Sequence, residues 1–265
     1  MSAKSKISYL GDRYTHTYAA AEKFSHGEAE LVGYHTIYSS IEAALRGECD
    51  YAVAPIENSC GGSVTDTLDA LRALPLYVRE ETVLHVPQHL ISVAGATADG
   101  IKTIYSHPQA LAQCDGYLRL RFPQTETIAV SSTAEALSLA TDLGKAAIAR
   151  APAEGQEIIE REVEDVKNNS TRFVLLGREP SESGDKCSVV FETPNTPGAL
   201  NRALALFGDR GLNMTKIESR PHRSELGRYV FFVDFECGDG PLTEVLGELA
   251  GRTSAMKYLG RYSRV

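Results

Sequence analysis

A short apolar run stops directly before a polar cluster and a helical pattern at four places in the first part of the chain. This order of strand, loop and helix is typical of an α/β domain. Side chains and free backbone N–H groups at such junctions can converge on an anion, although each cluster alone also fits a simple helix N-cap. Their repetition in one domain favours a cleft. The clusters are Asp12 to Thr17, Asn58-Ser59, Ser106-His107 and Ser131 to Thr133.

A polar segment divides the chain in two. Residues 177–186 contain turn formers and charges without apolar periodicity, which indicates a linker. We therefore predict a first domain over residues 1–180, with a single helix from about 109 to 119 among its elements. The second domain, residues 186–265, has the order β-α-β-β-α-β with apolar alternation along 229–235, which is a ferredoxin-like pattern.

The composition excludes several classes of protein. A net charge of -8 without a basic cluster argues against nucleic-acid binding. No stretch approaches the roughly 20 apolar residues of a membrane helix, and the first residues lack the apolar core of a signal peptide, so we expect a cytoplasmic protein. The 5 cysteines are widely spaced, which argues against a disulfide framework. No spacing resembles a metal site, and we expect no cofactor.

Thr171 and Arg172 stand side by side where a polar stretch gives way to an apolar strand. The guanidinium group offers a planar fork of donors that matches a carboxylate, and the hydroxyl can donate to an oxygen held in that fork. Because strand residues alternate, the two side chains should face opposite ways unless a bend intervenes. The pair alone also fits a solvated surface arginine.

Four segments together carry a resemblance to known families. The first three resemble the catalytic domain of prephenate dehydratase, and the last resembles an ACT domain, a module that senses amino acids. The resemblance implies a two-lobed, periplasmic-binding-protein-like α/β catalytic domain followed by a ferredoxin-like ACT domain. The segments are residues 55–59 with 62–64 and 67–69, residues 106–111 with 113–114, Asn169 with 171–173, and residues 197–200 with 218–221.

One segment departs from the family pattern. The family usually opens with Gly-Pro-x-Gly-Thr and an aromatic residue, whereas this chain reads Gly11-Asp12-Arg13-Tyr14-Thr15-His16 and keeps only the first Gly and the Thr. Loss of the second Gly alters how closely the backbone can approach a ligand, and Arg13 and Tyr14 add bulk and positive charge to the rim. We expect substrate preference or turnover to differ from the family norm.

The implied reaction is the loss of carbon dioxide and water from prephenate to give phenylpyruvate, a step in phenylalanine biosynthesis. Thr171 is implied as the hydroxyl that assists the departing ring hydroxyl, by a directed hydrogen bond or as a relay. Arg172 would clamp a carboxylate or brace the cleft from outside, and Phe173 would pack beside the substrate ring or fill the core. Glu57 would donate a proton or hold its loop.

The remaining site residues follow from the junctions and from the resemblance. Small polar side chains and exposed N–H groups suit the anionic substrate. In the second domain the implied ligand is phenylalanine, bound where two ACT domains meet, so we expect a homodimer or homotetramer; a domain kept only for dimerisation is the alternative. The expected substrate-binding residues are Thr15, Asn58, Ser59, Gly62, Ser106, Thr133 and Asn169. The expected phenylalanine-binding residues are Gly198, Ala199, Leu200, Asn213, Glu218 and Ser219.

Two other functions fit the same pattern. An arogenate dehydratase differs only in an amino group where prephenate has a keto oxygen, and the sequence does not separate the two substrates. Two α/β lobes around a cleft also fit a non-catalytic cytosolic sensor of an aromatic metabolite. Because no chorismate mutase segment precedes Ile7, we expect a monofunctional enzyme.

Overall fold

The first lobe is built from the start of the chain and receives one later strand. The structure is a computed structural model that describes residues 4–181, 183–222, 227–238 and 242–265. The elements of this lobe alternate between strand and helix, which is the order that the junctions predict. They are β1 (Lys6–Leu10), α1 (His16–Ser25), β2 (Glu30–Tyr34), α2 (Ile37–Leu45), β3 (Tyr51–Asn58), β4 (Gly62–Ser63), α3 (Thr65–Ala73) and β5 (Tyr77–His85).

The second lobe follows as one continuous stretch. The single helix predicted from 109 to 119 is two short helices, because the backbone of Cys114 leaves the helical region and its N–H bonds to the Leu111 carbonyl instead. The elements are β6 (His89–Val93), β7 (Thr103–Ser106), α4 (Pro108–Gln113), α5 (Asp115–Arg121), β8 (Glu126–Ala129), α6 (Thr133–Leu139), β9 (Lys145–Ala149) and β10 (Gln156–Glu160). Its sheet has the order β10-β6-β9-β7-β8.

The chain then returns to the first lobe as β11 (Ser170–Gly177), which pairs antiparallel with both β3 and β5. The first-lobe sheet therefore has the order β5-β11-β3-β1-β2, with β4 paired to β3. Two connections join the lobes, from β5 to β6 and from β10 to β11. The N-terminal part of the chain is thus a pair of α/β lobes with a cleft between them.

The C-terminal part has the predicted ferredoxin-like order, and its sheet runs β13-β14-β12-β15. One residue of the predicted linker, Glu182, lies outside the described residues. The sheet does not stand alone, because β15 pairs in parallel with β5 and joins the two sheets into one. The elements are β12 (Lys186–Glu192), α7 (Ala199–Asp209), β13 (Met214–Pro221), β14 (Tyr229–Glu236), α8 (Leu242–Arg252) and β15 (Ala255–Arg264).

Both faces of β14 are buried. Phe231, Val233 and Phe235 alternate on the face that packs against α7 and α8, as the sequence predicts. Val230 and Phe232 point the other way and belong to the core of the first lobe. The ferredoxin-like domain therefore shares a hydrophobic core with the catalytic lobe that carries β3 and β11.

Candidate active site

A cleft of about 320 Å³ lies between the two lobes. The first lobe contributes the C-terminal ends of β1 and β3, the start of β11 and the first turn of α1. The second lobe contributes the residues that follow β7 and β9 and begin α4 and α6. Polar side chains thus meet apolar ones at the junctions that the sequence singles out. The polar lining residues are Tyr14, Thr15, His16, Thr17, Asn58, Gln88, His107, Gln109, Gln113, Thr133, Arg150 and Thr171.

Thr171 lies in the cleft and is held by Asn58. The two residues are register partners on β11 and β3. The Asn58 Nδ2 donates to Thr171 Oγ1 at 2.9 Å and to Asn169 Oδ1 at 2.7 Å. Because the Thr171 oxygen already accepts this hydrogen bond, its own proton is available for an acceptor in the cleft. The geometry makes Thr171 a hydrogen-bond donor toward a ligand.

The orientation of the Asn58 amide is fixed by its other end. Asn58 Oδ1 accepts hydrogen bonds from the backbone N–H groups of Cys60 at 3.0 Å and Gly61 at 2.7 Å. Those two donors require the oxygen on their side, so the amide nitrogen must face Thr171. The turn after β3 therefore sets the direction in which the Thr171 hydroxyl can donate.

Arg172 and Glu57 point away from the cleft, so the expectation that they act on the substrate directly is corrected. Strand alternation places them on the face opposite Thr171 and Asn58, and this face is covered by the C-terminal ferredoxin-like domain. Arg172 Nη2 lies 2.6 Å from Asp234 Oδ2 on β14. Glu57 Oε1 lies 3.1 Å from Lys216 Nζ on β13. Of the two roles proposed for Arg172, the structure supports bracing from outside.

Arg172 is the centre of a buried ion-pair network between the domains. Its side chain is 9% exposed and also contacts Glu81 Oε2 at 3.3 Å, while Lys186 approaches the same carboxylate at 3.0 Å. Burial alone would lower the pKa of Arg172, but the Asp234 and Glu81 carboxylates outweigh it and hold the pKa above its usual value. The guanidinium stays charged and crosslinks β11, β5 and β14.

The other expected catalytic and substrate-binding residues divide between the cleft and its surroundings. Phe173 lines the cleft on the same face as Thr171, as alternation predicts. Thr133 also lines it. Thr15 does so as well, but its hydroxyl caps α1, accepting from the Tyr18 N–H and donating to the Asp12 carbonyl.

Four of the expected residues do not line the cavity. Ser106 is fully buried and donates to the Ile148 carbonyl, which corrects its assignment as a substrate ligand. Ser59 is exposed, bonds to the Asn168 carbonyl and accepts from the Ser170 N–H, so it holds the loop before β11. Gly62 is exposed, with a positive φ of 74°. Asn169 is buried behind Asn58 and supports its amide.

His16 and Arg150 are among the cleft residues that the sequence analysis missed. His16 follows Thr15 directly, inside the segment that departs from the family pattern. Burial, together with the nearby charge of Arg150 and with His89 and His85, lowers the pKa of His16 to about 3. Arg150 follows β9 directly, and this strand end is a further strand–loop junction that could have signalled it. His16 is therefore a neutral imidazole at physiological pH, in the same cleft as the Arg150 cation.

The expected phenylalanine-binding residues fall into two groups. Gly198, Ala199 and Leu200 line a cavity of about 470 Å³ at the start of α7, together with Tyr229 and Phe231. Asn213, Glu218 and Ser219 do not line this cavity. Asn213 bonds to Glu236, Ser219 is exposed, and Glu218 accepts a hydrogen bond from Ser63 of the catalytic lobe at 3.0 Å. One chain therefore brings together only the first group.

Within residues 4–181, 183–222, 227–238 and 242–265, no three His, Cys, Asp or Glu side chains converge as a metal site requires. In the same part of the chain no helix has the length and apolar character needed to cross a bilayer.

Comparison with known proteins decides the family. Residues 7–181 match the family model for prephenate dehydratase, and residues 188–250 match the model for the ACT domain. The chain belongs to the prephenate dehydratase family. A prephenate dehydratase of Lactococcus lactis subsp. cremoris is 40% identical, with 97% of each chain covered.

Among solved structures similar to this chain, one belongs to the same family and another is described with a different activity. The prephenate dehydratase of Arthrobacter aurescens in complex with L-Phe has a TM-score of 0.86 at 31% identity, covering 98% of this chain and 90% of that chain. A protein described as a novel type of quorum quenching acylase has a TM-score of 0.85 at 27% identity, covering 98% of both chains. A shared fold does not fix the reaction, so the function must be argued from the cleft.

Proposed function

We propose that this protein is a prephenate dehydratase, which converts prephenate to phenylpyruvate, carbon dioxide and water. The observation that carries the proposal is the hydrogen bond from Asn58 Nδ2 to Thr171 Oγ1, which leaves the Thr171 proton free to donate into the cleft. A neutral hydrogen-bond donor suits a reaction whose driving force is aromatisation of the substrate ring. Membership of the family supports the assignment.

The reaction requires little covalent help from the protein. The bond between ring carbon C1 and its carboxylate breaks, and the electron pair moves into the ring. The C4–O bond breaks at the opposite ring carbon, and the departing hydroxide takes up a proton from solvent and leaves as water. Thr171 stabilises the negative charge that develops on this oxygen, and Asn58 strengthens the donation by polarising the threonine hydroxyl.

The cleft has an apolar wall that suits the substrate ring and a polar wall that suits the polar groups of the substrate. Pro55, Val64, Val86 and Phe173 supply an apolar wall for the ring that becomes aromatic. Polar groups face the substrate from the other lobe, among them Gln109. The apolar wall also keeps water away from the ring while it becomes aromatic.

We also propose feedback regulation by phenylalanine through the ACT domain. The cavity at Gly198 to Leu200 offers backbone close to a helix start for the amino-acid carboxylate, and Tyr229 and Phe231 for an aromatic side chain. Glu218 and Ser219 lie elsewhere on the same domain, so a second ACT domain would be needed to bring such residues to the ligand. This supports a homodimer or homotetramer.

An apolar surface supports the proposed assembly. Ile217 on the edge strand β13 is 49% exposed, and Tyr229 on β14 is 48% exposed. An edge strand with apolar side chains favours pairing with a second copy. Multi-angle light scattering after size-exclusion chromatography tests this, and a monomer at micromolar concentration would exclude it. The family's biosynthetic role supports a cytoplasmic location.

The proposed activity is tested by following phenylpyruvate formation from prephenate with purified protein, with arogenate in parallel and phenylalanine added to each. Turnover of prephenate that phenylalanine reduces is the expected result. A protein that binds phenylalanine but converts neither substrate would be a sensor. Preferential conversion of arogenate would make it an arogenate dehydratase.

The role of Thr171 is tested by two substitutions. Thr171→Ala removes the donor and should lower kcat by about 10²- to 10³-fold, the usual effect of losing one such donor. Thr171→Ser keeps the hydroxyl and should retain a larger share of activity. Equal activities of the Ala and Ser variants would contradict the assignment, provided that both show the wild-type thermal midpoint.

A further inference from the structure

Arg150 is the one Asp, Glu, Lys or Arg side chain that lines the described cleft. It follows β9 on the second lobe, and its Nε is buried without a hydrogen-bond partner. No hydrogen bond or salt bridge to Arg150 occurs among residues 4–181, 183–222, 227–238 and 242–265. The protein carries a net charge of -8, so carboxylates were available as partners. A cation kept unpaired in a cleft of such a protein indicates that its counter-charge comes from a ligand.

The surroundings of Arg150 are suited to an anion. His16 lines the same cleft as Arg150. Burial, with a smaller effect of the Arg150 charge, lowers the pKa of His16 to about 3, so its imidazole is neutral. A neutral imidazole can donate one hydrogen bond to a carboxylate without adding a charge. Tyr14, which lines the same cleft, adds a phenolic hydroxyl.

The shape of the substrate determines which of its groups meets Arg150. In prephenate the hydroxyl is on ring carbon C4, and both carboxylates belong to substituents of C1, directly across the ring. If Thr171 on the first lobe holds the hydroxyl, both carboxylates must point away from it, and Arg150 lies on the second lobe across the cleft. Arg150 is therefore placed to meet either the ring carboxylate or the pyruvyl carboxylate.

The chemistry of the reaction selects the pyruvyl carboxylate. Decarboxylation moves the electron pair of the ring carboxylate bond into the ring and discharges that carboxylate. A guanidinium bound to it would stabilise the charged ground state more than the transition state and would slow the step. A guanidinium bound to the pyruvyl carboxylate, whose charge does not change, orients the substrate without this penalty.

We propose that Arg150, with His16 in the same cleft, binds the pyruvyl carboxylate and makes the enzyme selective for prephenate over arogenate. This inference rests on the proposed dehydratase function. In arogenate an ammonium group is next to the same carboxylate, where it would be repelled by Arg150. The described lining offers no Asp or Glu to receive that ammonium. The keto group of prephenate has no such conflict.

Steady-state kinetics with both substrates test the assignment. Arg150→Gln should raise KM for prephenate at least tenfold while kcat changes less, because a positioning charge acts on binding. For arogenate kcat/KM should change less than threefold. The preference for prephenate over arogenate should therefore fall by about the same factor as kcat/KM for prephenate. Arg150→Lys, which keeps the charge but loses the fork, should lie between wild type and Arg150→Gln.

The control is Arg119→Gln, which removes the same charge from an exposed side chain on the same lobe. It should leave both substrates' parameters within twofold of wild type. A KM for prephenate within twofold of wild type in Arg150→Gln would overturn the proposal. So would an equal loss for prephenate and arogenate, because the charge would then not discriminate between them.

A binding measurement separates this proposal from the proposed reaction. Calorimetric titration of prephenate into Thr171→Ala should give a Kd at least tenfold lower than titration into the Thr171→Ala/Arg150→Gln double variant. If the wild-type protein shows no turnover, the dehydratase assignment fails. Titration of prephenate into the wild-type protein and into Arg150→Gln then still tests whether Arg150 binds the pyruvyl carboxylate. Equal affinities, or no binding of prephenate to either protein, would refute it.

A third readout excludes a structural role for Arg150. An unpaired cation in a half-buried position destabilises the free protein, so Arg150→Gln should have a thermal midpoint equal to or above wild type. A lowered midpoint together with a raised KM would indicate that the side chain supports the fold rather than the substrate.

Discussion

The Asn58 side chain forms hydrogen bonds through both ends of its amide group. Its oxygen accepts from the backbone N–H groups of Cys60 and Gly61, and its nitrogen donates to Thr171 Oγ1. The first end stabilises the turn after β3, and the second end directs the threonine proton into the cleft. Structural and catalytic functions are therefore separable at this residue by changing one atom.

Asn58→Asp makes that change. The carboxylate keeps an oxygen for Cys60 and Gly61 but replaces the donor to Thr171 with an acceptor, so the threonine proton would turn toward the aspartate. Asn169 can rotate its amide to donate, since its Nδ2 is buried without a partner. We expect a thermal midpoint near wild type and a kcat reduced by about 10²-fold.

The comparison variant is Asn58→Ala, which loses both ends of the amide. It should lower both kcat and the thermal midpoint, because two backbone N–H groups lose their acceptor. If Asn58→Asp keeps wild-type kcat, the direction of the Thr171 hydrogen bond does not matter for catalysis.

His16 makes the protein sensitive to acid. Its pKa is about 3 in the folded state, against roughly 6.5 in an unfolded chain. Below pH 6.5 the unfolded chain therefore gains a proton that the folded chain does not, and the free energy of unfolding falls as the pH decreases toward 3. At pH 5 this one group can contribute a loss of up to about 2 kcal/mol relative to pH 7.5.

His16→Gln should reduce the difference in unfolding free energy between pH 7.5 and pH 5, measured by urea denaturation at both values. His35→Gln, at an exposed position, serves as the control and should retain the wild-type difference. An unchanged difference in His16→Gln would show that the imidazole is protonated in the folded protein.

At the scale of secondary-structure elements, both faces of strand β11 make contacts that matter for the site. Thr171 and Phe173 face the cleft, and Arg172 between them faces the ACT domain. The neighbouring strand β3 repeats this arrangement, with Asn58 toward the cleft and Glu57 toward Lys216 of β13. The two strands that position the reactive hydroxyl are therefore the same two strands that the regulatory domain holds by ion pairs.

Arg172→Gln should destabilise the protein by about 3 to 5 kcal/mol, because it leaves the buried Asp234 carboxylate without its cation. We also expect a weaker response of activity to phenylalanine, since the contact between β11 and the ACT domain is lost. Urea denaturation measures the first effect, and dehydratase assays across a phenylalanine series measure the second.

Arg210→Gln is the matched control on the ACT domain, because Arg210 pairs with Glu244 and Glu248 at the surface. Exposed pairs contribute little, so its stability should stay within about 1 kcal/mol of wild type. A double-mutant cycle of Arg172→Gln and Asp234→Asn should give a non-zero coupling energy. A coupling near zero would mean that the two side chains do not interact in solution.

At the scale of the whole molecule, the catalytic lobe and the ACT domain form one unit. The sheet is continuous through β5 and β15, and Tyr262 and Leu259 belong to the same core as Val78 of the catalytic lobe. Gly260 allows this close approach. It has a φ of 136°, and a Cβ there would lie 2.3 Å from the Val78 carbonyl oxygen.

Gly260→Ala should therefore separate the domains, because backbone on both sides must shift to relieve the contact. We expect differential scanning calorimetry to show a lower midpoint, with two transitions replacing one. Gly247→Ala on α8 is the control, since a Cβ there meets nothing within 4 Å and alanine favours the helix. A single transition at the wild-type midpoint in Gly260→Ala would contradict the close approach.

The sequence predicts local patterns of this molecule well and long-range contacts poorly. The βαββαβ order and the placement of Thr171 opposite Arg172 follow from periodicity alone. The partners of Arg172 do not, because Asp234 and Glu81 are 62 and 91 residues away in the chain. The apolar pattern of strand β5 is interrupted by Arg79, Glu80 and Glu81, and all three side chains are buried or half-buried in the folded protein.

The pairing of β5 with β15 also has a consequence for the synthesis of the protein on the ribosome. Thr82 of β5 bonds to the carbonyl of Val265, 183 residues later in the chain. While the ribosome is still making the ACT domain, the edge of β5 therefore has no strand beside it, and such an edge can pair with another nascent chain. The charges at Arg79, Glu80 and Glu81 discourage that pairing until β15 arrives, so the residues that obscure β5 in the sequence protect it during synthesis.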